Sequence, residues 1–140
     1  MRNLTFILTL FLVGGNILGQ SKITKNEIKS IFTKKIVVIL AEELNPEGFD
    51  IRLQDYIVNG YPILPVFTSK DEQEKSFQGT DPGKPIIEIE GILFAMVLNG
   101  NERVVVNPNL ANERSYLGSE IKEILSTEIE IMKEELEKLQ

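Results

Sequence analysis

The dipeptide Asn59-Gly60 constrains this chain more than any other feature of it. Both residue types tolerate positive φ at the central positions of a tight turn, so Asn-Gly between apolar runs marks a β-hairpin. The run before it alternates, with Phe49, Ile51 and Leu53 on one face, then Tyr56 and Val58 after a slip at Asp55. The return run, residues 61–67 (YPILPVF), predicts a strand. Its Pro62 and Pro65 cannot donate to a ladder, which places it at a sheet edge or makes it irregular near its start.

Directly after that strand, Ser69-Lys70-Asp71-Glu72 spells a capping box, in which the serine hydroxyl and the glutamate carboxylate satisfy unpaired amides at a helix start. Asp71 and Glu72 also set negative charge against the positive end of the helix dipole. Residues 70–77 are therefore expected to be helical. Ser69 reads as their N-cap and not as a nucleophile, because a serine nucleophile needs a neighbouring base and the chain has no His. Lys70 is adjacent in sequence, but adjacent residues at a helix start point in different directions.

The rest of the chain supplies further elements. Ile23, Ile28, Ile31 and Phe32 suit a short amphipathic helix over residues 25–33. Residues 36–40 are a continuous β-branched run, read as a strand buried on both faces, although a buried helix gives the same pattern. Residues 45–48 (NPEG) and 81–83 (DPG) are turns. Residues 86–89 form a strand, with Glu88 and Glu90 sharing one face. The apolar stretch 92–98 ends on Asn99-Gly100, a helix C-cap or a second hairpin turn; the residues alone leave both open. Residues 103–106 form a strand stopped by Asn107-Pro108. From Ser119, read as an N-cap, the residues Ile121, Leu125, Ile129, Met132, Leu136 and Leu139 recur on one helical face. That stripe covers the sheet, or binds a partner if its last turns overhang. The expected fold is α+β, a single domain with a mixed, mostly antiparallel sheet covered by helices and a long C-terminal amphipathic helix.

Composition bounds the chemistry. With no Cys and no His, thiol nucleophiles, Ser-His and Cys-His pairs and structural zinc sites are ruled out. A net charge of -6, with no basic cluster to offset it, argues against nucleic acid as a partner. Glu88 and Glu90 could suggest a metal or an acid-base pair, but no third ligand can be named, so a solvated strand face is the expected reading. A carboxylate enzyme using Glu88, Glu90 or Asp50 is the minor alternative. No cofactor is expected.

The first residues read as an address. Arg2, an apolar run over residues 4–13, and then Gly14, Gly15, Asn16 and Gly19 follow the order of a secretory signal peptide. The apolar run is shorter than the roughly 20 residues of a spanning helix. Cleavage is expected between Gly19 and Gln20, and the lipid-modified variant of such a signal is excluded by the lack of Cys. The expected organisation is a signal peptide over 1–19, a helical lead-in over 20–33, the main domain over 34–125 and an extension of the last helix over 126–140. The protein is expected to be exported, periplasmic or extracellular, without stable membrane insertion after cleavage.

The stretches LPVFTSKDEQEKSF, PIIEIEGILFAMVLNG, VVVNPN and SEIKEIL, in that order, resemble the SseB N-terminal domain family of bacterial proteins. The likeness runs over about residues 34–125. Its pattern is a strand ending in P-x-F-T-S, a helix, a strand, a short helix and a strand ending in N-P. The resemblance implies that residues 91–98 are helical, and it implies no catalytic activity. Two departures stand out: Asn109 follows Asn107-Pro108 where the family commonly has Gly, and a signal peptide precedes the domain. The expected function is that of an exported, non-catalytic interaction module with a protein partner. Its candidate contact surface is Phe67, Thr68, Ser69, Asn107 and Pro108, since strand ends and loops are the usual place for binding. An envelope immunity or inhibitor protein, acidic so as to mask a basic partner, is the alternative.

Overall fold

The computed structural model describes residues 17–44 and 51–139, and for residues 17–21 the backbone alone. The Asn59-Gly60 turn is where the sequence puts it, with φ of 50° and 83°, and it joins β2 (Tyr56–Val58) to β3 (Tyr61–Phe67) in antiparallel register. Positive φ at both central residues gives the turn the twist that flanking strands need.

Of the two readings that its prolines allow, an edge position is overturned: β3 is not an edge strand. It lies in the middle of the sheet order β4-β1-β3-β5-β6, with β1 spanning Lys35–Ile39, β4 Ile86–Glu90, β5 Arg103–Val106 and β6 Arg114–Leu117. The hydrogen-bond phase shows how two prolines are accommodated. Asn107 N donates to the Val66 carbonyl at 2.8 Å, so Leu64 and Val66 turn their polar groups toward β5 while Pro65 faces β1. There the missing proline N–H would have met the Ile39 carbonyl, which instead accepts from Gln54 N at 2.9 Å. The chain around Leu53, bridged to Leu40, takes over as partner of β1 where Pro65 cannot serve. Pro62 faces the opposite side, before β5 begins to pair with β3 at Leu64.

The sheet is mixed: β3 and β5 run parallel, and the other pairings are antiparallel. Because both faces are covered at the centre of the sheet, β1, β3 and β5 carry continuous apolar runs. On one face Ile36, Val38, Leu64, Val66, Val104 and Val106 pack under Ile28 and Phe32 of α1 (Ile17–Phe32) and Phe94 and Ala95 of α3 (Gly91–Val97). Ile121 of α4 (Gly118–Ile124) and Ile129 of α5 (Ser126–Lys138) complete that layer. Phe32 stacks on Phe94 with centroids 5.6 Å apart. On the other face Val37, Ile39, Ile63, Phe67 and Val105 pack against Val58 and against Phe77, which follows α2 (Lys70–Ser76). Each such fully buried side chain contributes about 1.5–3 kcal/mol of burial free energy.

The stretch 92–98 forms the helix α3 (Gly91–Val97) with Leu98 as its extended C-cap, which settles the reading that residues alone left open. Its start is pinned at Gly91, whose N donates to Lys34 O and whose Cα lies so close to α1 that a Cβ would fall 2.3 Å from the Phe32 carbonyl oxygen. Its end is closed by Lys122, whose Nζ donates to Leu98 O at 2.8 Å and to Ala95 O and Met96 O at 3.4 Å.

Three elements differ from expectation. The first helix extends back to Ile17. Ser119 is not an N-cap: α4 begins one residue earlier at Gly118, Glu120 accepts from Leu117 N at 3.0 Å, and Gly118 N and Ser119 N donate to carbonyls of Glu102 and Gly100. The C-terminal helical stripe is interrupted at Leu125, which has φ of -97° and ψ of 14°, yet Leu125 N still donates to Ile121 O and Ile129 N to Leu125 O. Ile121, Leu125 and Ile129 are buried, whereas Leu139 is 83% exposed. The turn expected at residues 45–48, together with Phe49 and Asp50, lies outside the described residues, as do residues 1–16. Among the described residues, no helix is long and apolar enough to cross a membrane.

Candidate functional site

The parallel strands β3 and β5 end side by side, and the two turns that leave them are locked together. Asn107 holds φ at 50° and is buried; its Oδ1 accepts from Thr68 N and its Nδ2 donates to Thr68 Oγ1, both at 3.0 Å. Asn is one of the few residues that takes this left-handed conformation readily while also presenting a donor and an acceptor. Ser69 caps α2 by accepting from Glu72 N at 3.1 Å, while the Glu72 carboxylate stands 4.0 Å from Lys75 Nζ. Ser76 Oγ, buried in α2, donates to Pro108 O and ties the second turn to this helix. Asn109 has φ of 67°, a conformation that glycine adopts freely and asparagine tolerates.

The expected contact residues thus come together, with different exposures. Phe67 is fully buried, and Asn107 and Pro108 are buried too; only Thr68 and Ser69 are exposed. What opens beside them is a cleft of about 430 Å³ between α1 and the ends of the strands. Asn26, Glu27, Ser30 and Ile31 of α1 form one wall, and Asn112, Arg114 and Tyr116 the other. Thr68, Val106 and Asn107 complete the lining. A crevice outside the carboxyl ends of parallel strands is the place where open sheets take ligands.

The cleft is electrically balanced. Glu27 Oε2 accepts from the Tyr116 hydroxyl, and its Oε1 lies 3.6 Å from Arg114 Nε. Arg114 also donates to the Glu113 carbonyl at 2.7 Å. Burial first, and then the hydrogen bond to Glu27 and its negative charge, hold the Tyr116 phenol well above its ordinary value. It is a donor at any physiological pH. The arrangement presents amides, hydroxyls and one neutralised ion pair, which suits hydrogen-bonded recognition better than proton transfer.

Of the carboxylates singled out from sequence, Asp50 lies outside the described residues and Glu88 and Glu90 sit elsewhere. Glu88 and Glu90 are exposed on β4, at the far edge of the sheet. Asp55, which the sequence did not single out as a site, is raised above the ordinary carboxyl value by burial and then by the charge of Glu102. Among the described residues, no group of three or more acidic side chains could hold a metal ion.

Sequence reasoning missed Glu27, Asn112, Arg114 and Tyr116. Glu27 and Tyr116 are 89 residues apart, and no local pattern links them. Comparisons with family models, with curated proteins and with solved structures return no match.

Proposed function

We infer that this protein is a small, exported, non-catalytic recognition module of the SseB N-terminal domain type, which binds a partner protein through the cleft between α1 and the ends of β3, β5 and β6. The observation that carries the reading is the closed Glu27–Tyr116–Arg114 network within an open cleft. A catalytic carboxylate has to exchange a proton with substrate, whereas both Glu27 oxygens face partners from the protein itself. The family reading draws support from the element order: a strand ending at Phe67, then α2, β4, α3 and β5 follow the pattern that the sequence resembles. Asn109, the departure from the family's glycine, adopts a backbone conformation that glycine favours.

Export fits this reading geometrically. Cleavage before Gln20 would leave Asn26, Glu27, Ser30 and Ile31 in place, so the cleft survives processing.

The test is affinity purification from the host's envelope fraction, with the chain as found in the host and with two variants. Asn112→Trp fills the cleft from an exposed turn; Glu137→Lys alters a distant exposed position on α5. A partner lost with Asn112→Trp and retained with Glu137→Lys supports the reading. A partner retained by both, or a bait that begins at Met1, contradicts the corresponding part of it.

A further inference from the structure

Strand β4 is the outermost strand on the side of the sheet opposite to β6, and no described residue pairs beyond it. Its hydrogen-bond phase follows from two contacts: Leu40 N donates to Pro85 O at 2.8 Å and Gly91 N to Lys34 O at 2.9 Å. In an antiparallel ladder bonded and non-bonded pairs alternate, so Ile87 and Ile89 bond to β1. Ile86, Glu88 and Glu90 therefore aim their N–H groups outward, and Ile86 and Glu88 their carbonyls as well.

The two edges of the sheet are not equivalent. On β6 the same alternation, set by Gly118 N donating to Glu102 O, turns Ser115 and Leu117 outward, but Glu120 already accepts from Leu117 N. That edge is reduced to little more than one residue. The β4 edge keeps a run of outward groups across five residues, and its side chains divide by charge: Glu88 and Glu90 stand exposed on one face, Ile87 and Ile89 lie half-buried on the other.

We propose that the β4 edge docks an extended basic segment of a partner protein, added antiparallel or parallel to Ile86–Glu90, with Lys or Arg at alternate positions beside Glu88 and Glu90 and β-branched residues beside Ile87 and Ile89. Main-chain hydrogen bonds give such strand addition its affinity and alternate side chains its specificity. Charge selects the occupant. A second copy of this chain, paired edge to edge about a two-fold axis centred on Glu88, would set Glu88 against Glu88, a destabilising like-charge pair, and one centred on Ile87 would leave Glu88 opposite Ile86 without a charge partner, whereas a basic segment offers one to both glutamates. This surface is separate from the cleft, so either can fail without the other.

The test uses the purified chain and a synthetic heptapeptide alternating lysine and valine. Controls are the glutamate–valine analogue and a lysine–valine peptide N-methylated at alternate residues, so that it keeps its charge and loses its ladder donors. Amide hydrogen exchange followed by NMR at Ile86, Glu88 and Glu90 is the readout. Slowing by about tenfold or more with the lysine peptide, none with either control, and a switch to the glutamate peptide in the Glu88→Lys/Glu90→Lys variant support the proposal. Unchanged exchange, protection confined to other residues, or equal binding of the N-methylated peptide overturns it. So does slowing that tracks protein concentration without peptide, which would identify a second copy as the occupant.

Discussion

Asn107 and Thr68 hydrogen-bond to each other twice, Oδ1 accepting from the Thr68 backbone and Nδ2 donating to the Thr68 hydroxyl, and this pair binds together the two turns that leave the parallel strands. Neither residue is near the other in sequence, and Asn107 also needs φ of 50° to make the contact. Replacing Asn107 separates the two requirements. Asn107→Ala should cost about 2–4 kcal/mol, since it strands the Thr68 N–H and strains the backbone. Asn107→Gly relieves the backbone but not the hydrogen bonds, so it should cost less than the alanine variant. Urea unfolding of both variants checks the order; equal losses would mean that the side-chain bonds alone matter.

Burial of Tyr116, and after it the contact with Glu27, should make stability fall at alkaline pH. The folded phenol is raised above its unfolded value of about 10, so the unfolded chain ionises first and is favoured as pH rises beyond that point. The contribution is fully present below pH of about 10 and is lost above it. Tyr116→Phe should flatten that alkaline decline while costing about 1.5–3 kcal/mol near neutrality, the worth of a hydrogen bond to a charged group. Thermal unfolding between neutral and alkaline pH, with tyrosinate absorbance followed in parallel, measures both.

Gly91 is required for its lack of a side chain, not for a special φ. Its Cβ would meet the Phe32 carbonyl oxygen at 2.3 Å and the Phe32 Cα at 2.7 Å, all backbone that cannot swing away. Gly91→Ala should therefore force α1 and α3 apart, at about 1–3 kcal/mol or more. Loss of the Phe32–Phe94 stack should accompany it. Chemical denaturation together with near-UV circular dichroism reads both effects.

Lys122 closes the end of α3 across the layer of helices. Lys122→Met keeps the stem packed and removes only the charge that satisfies three carbonyls, so about 1–3 kcal/mol should be lost. Hydrogen exchange should rise in Gly91–Val97 before it rises in the sheet. Uniform acceleration in every element would show that Lys122 acts on global stability alone.

What sequence reveals here depends on whether the signal is local. The Asn59-Gly60 turn, the Ser69 cap and the stop at Asn107-Pro108 are short-range devices, and each was readable because its physics is confined to four or so residues. Strand β6 was not: it has four residues, only Tyr116 among them buried, and so it carries no period to detect. The central place of β3 was hidden for the opposite reason. Two prolines argue locally for an edge, and only the long-range supply of Gln54 N to the Ile39 carbonyl makes the interior position tolerable. The break at Leu125 falls inside an apolar stripe that continues through it, so periodicity reads a single helix. The cleft is least legible of all. Its walls come from α1 and from the chain around β6, brought together by the sheet and not by any motif, whereas of the residues that did attract attention Asn107 and Pro108 tie the turns together and Phe67 packs in the core.

The most direct test of the recognition reading is hydrogen–deuterium exchange of the purified chain, alone and with the protein that co-purifies with it from the envelope. The account predicts slowed exchange in residues 22–31 and 106–116, the two walls of the cleft, with the Asn112→Trp variant showing none. Protection absent from both walls, or undiminished in that variant, would contradict it.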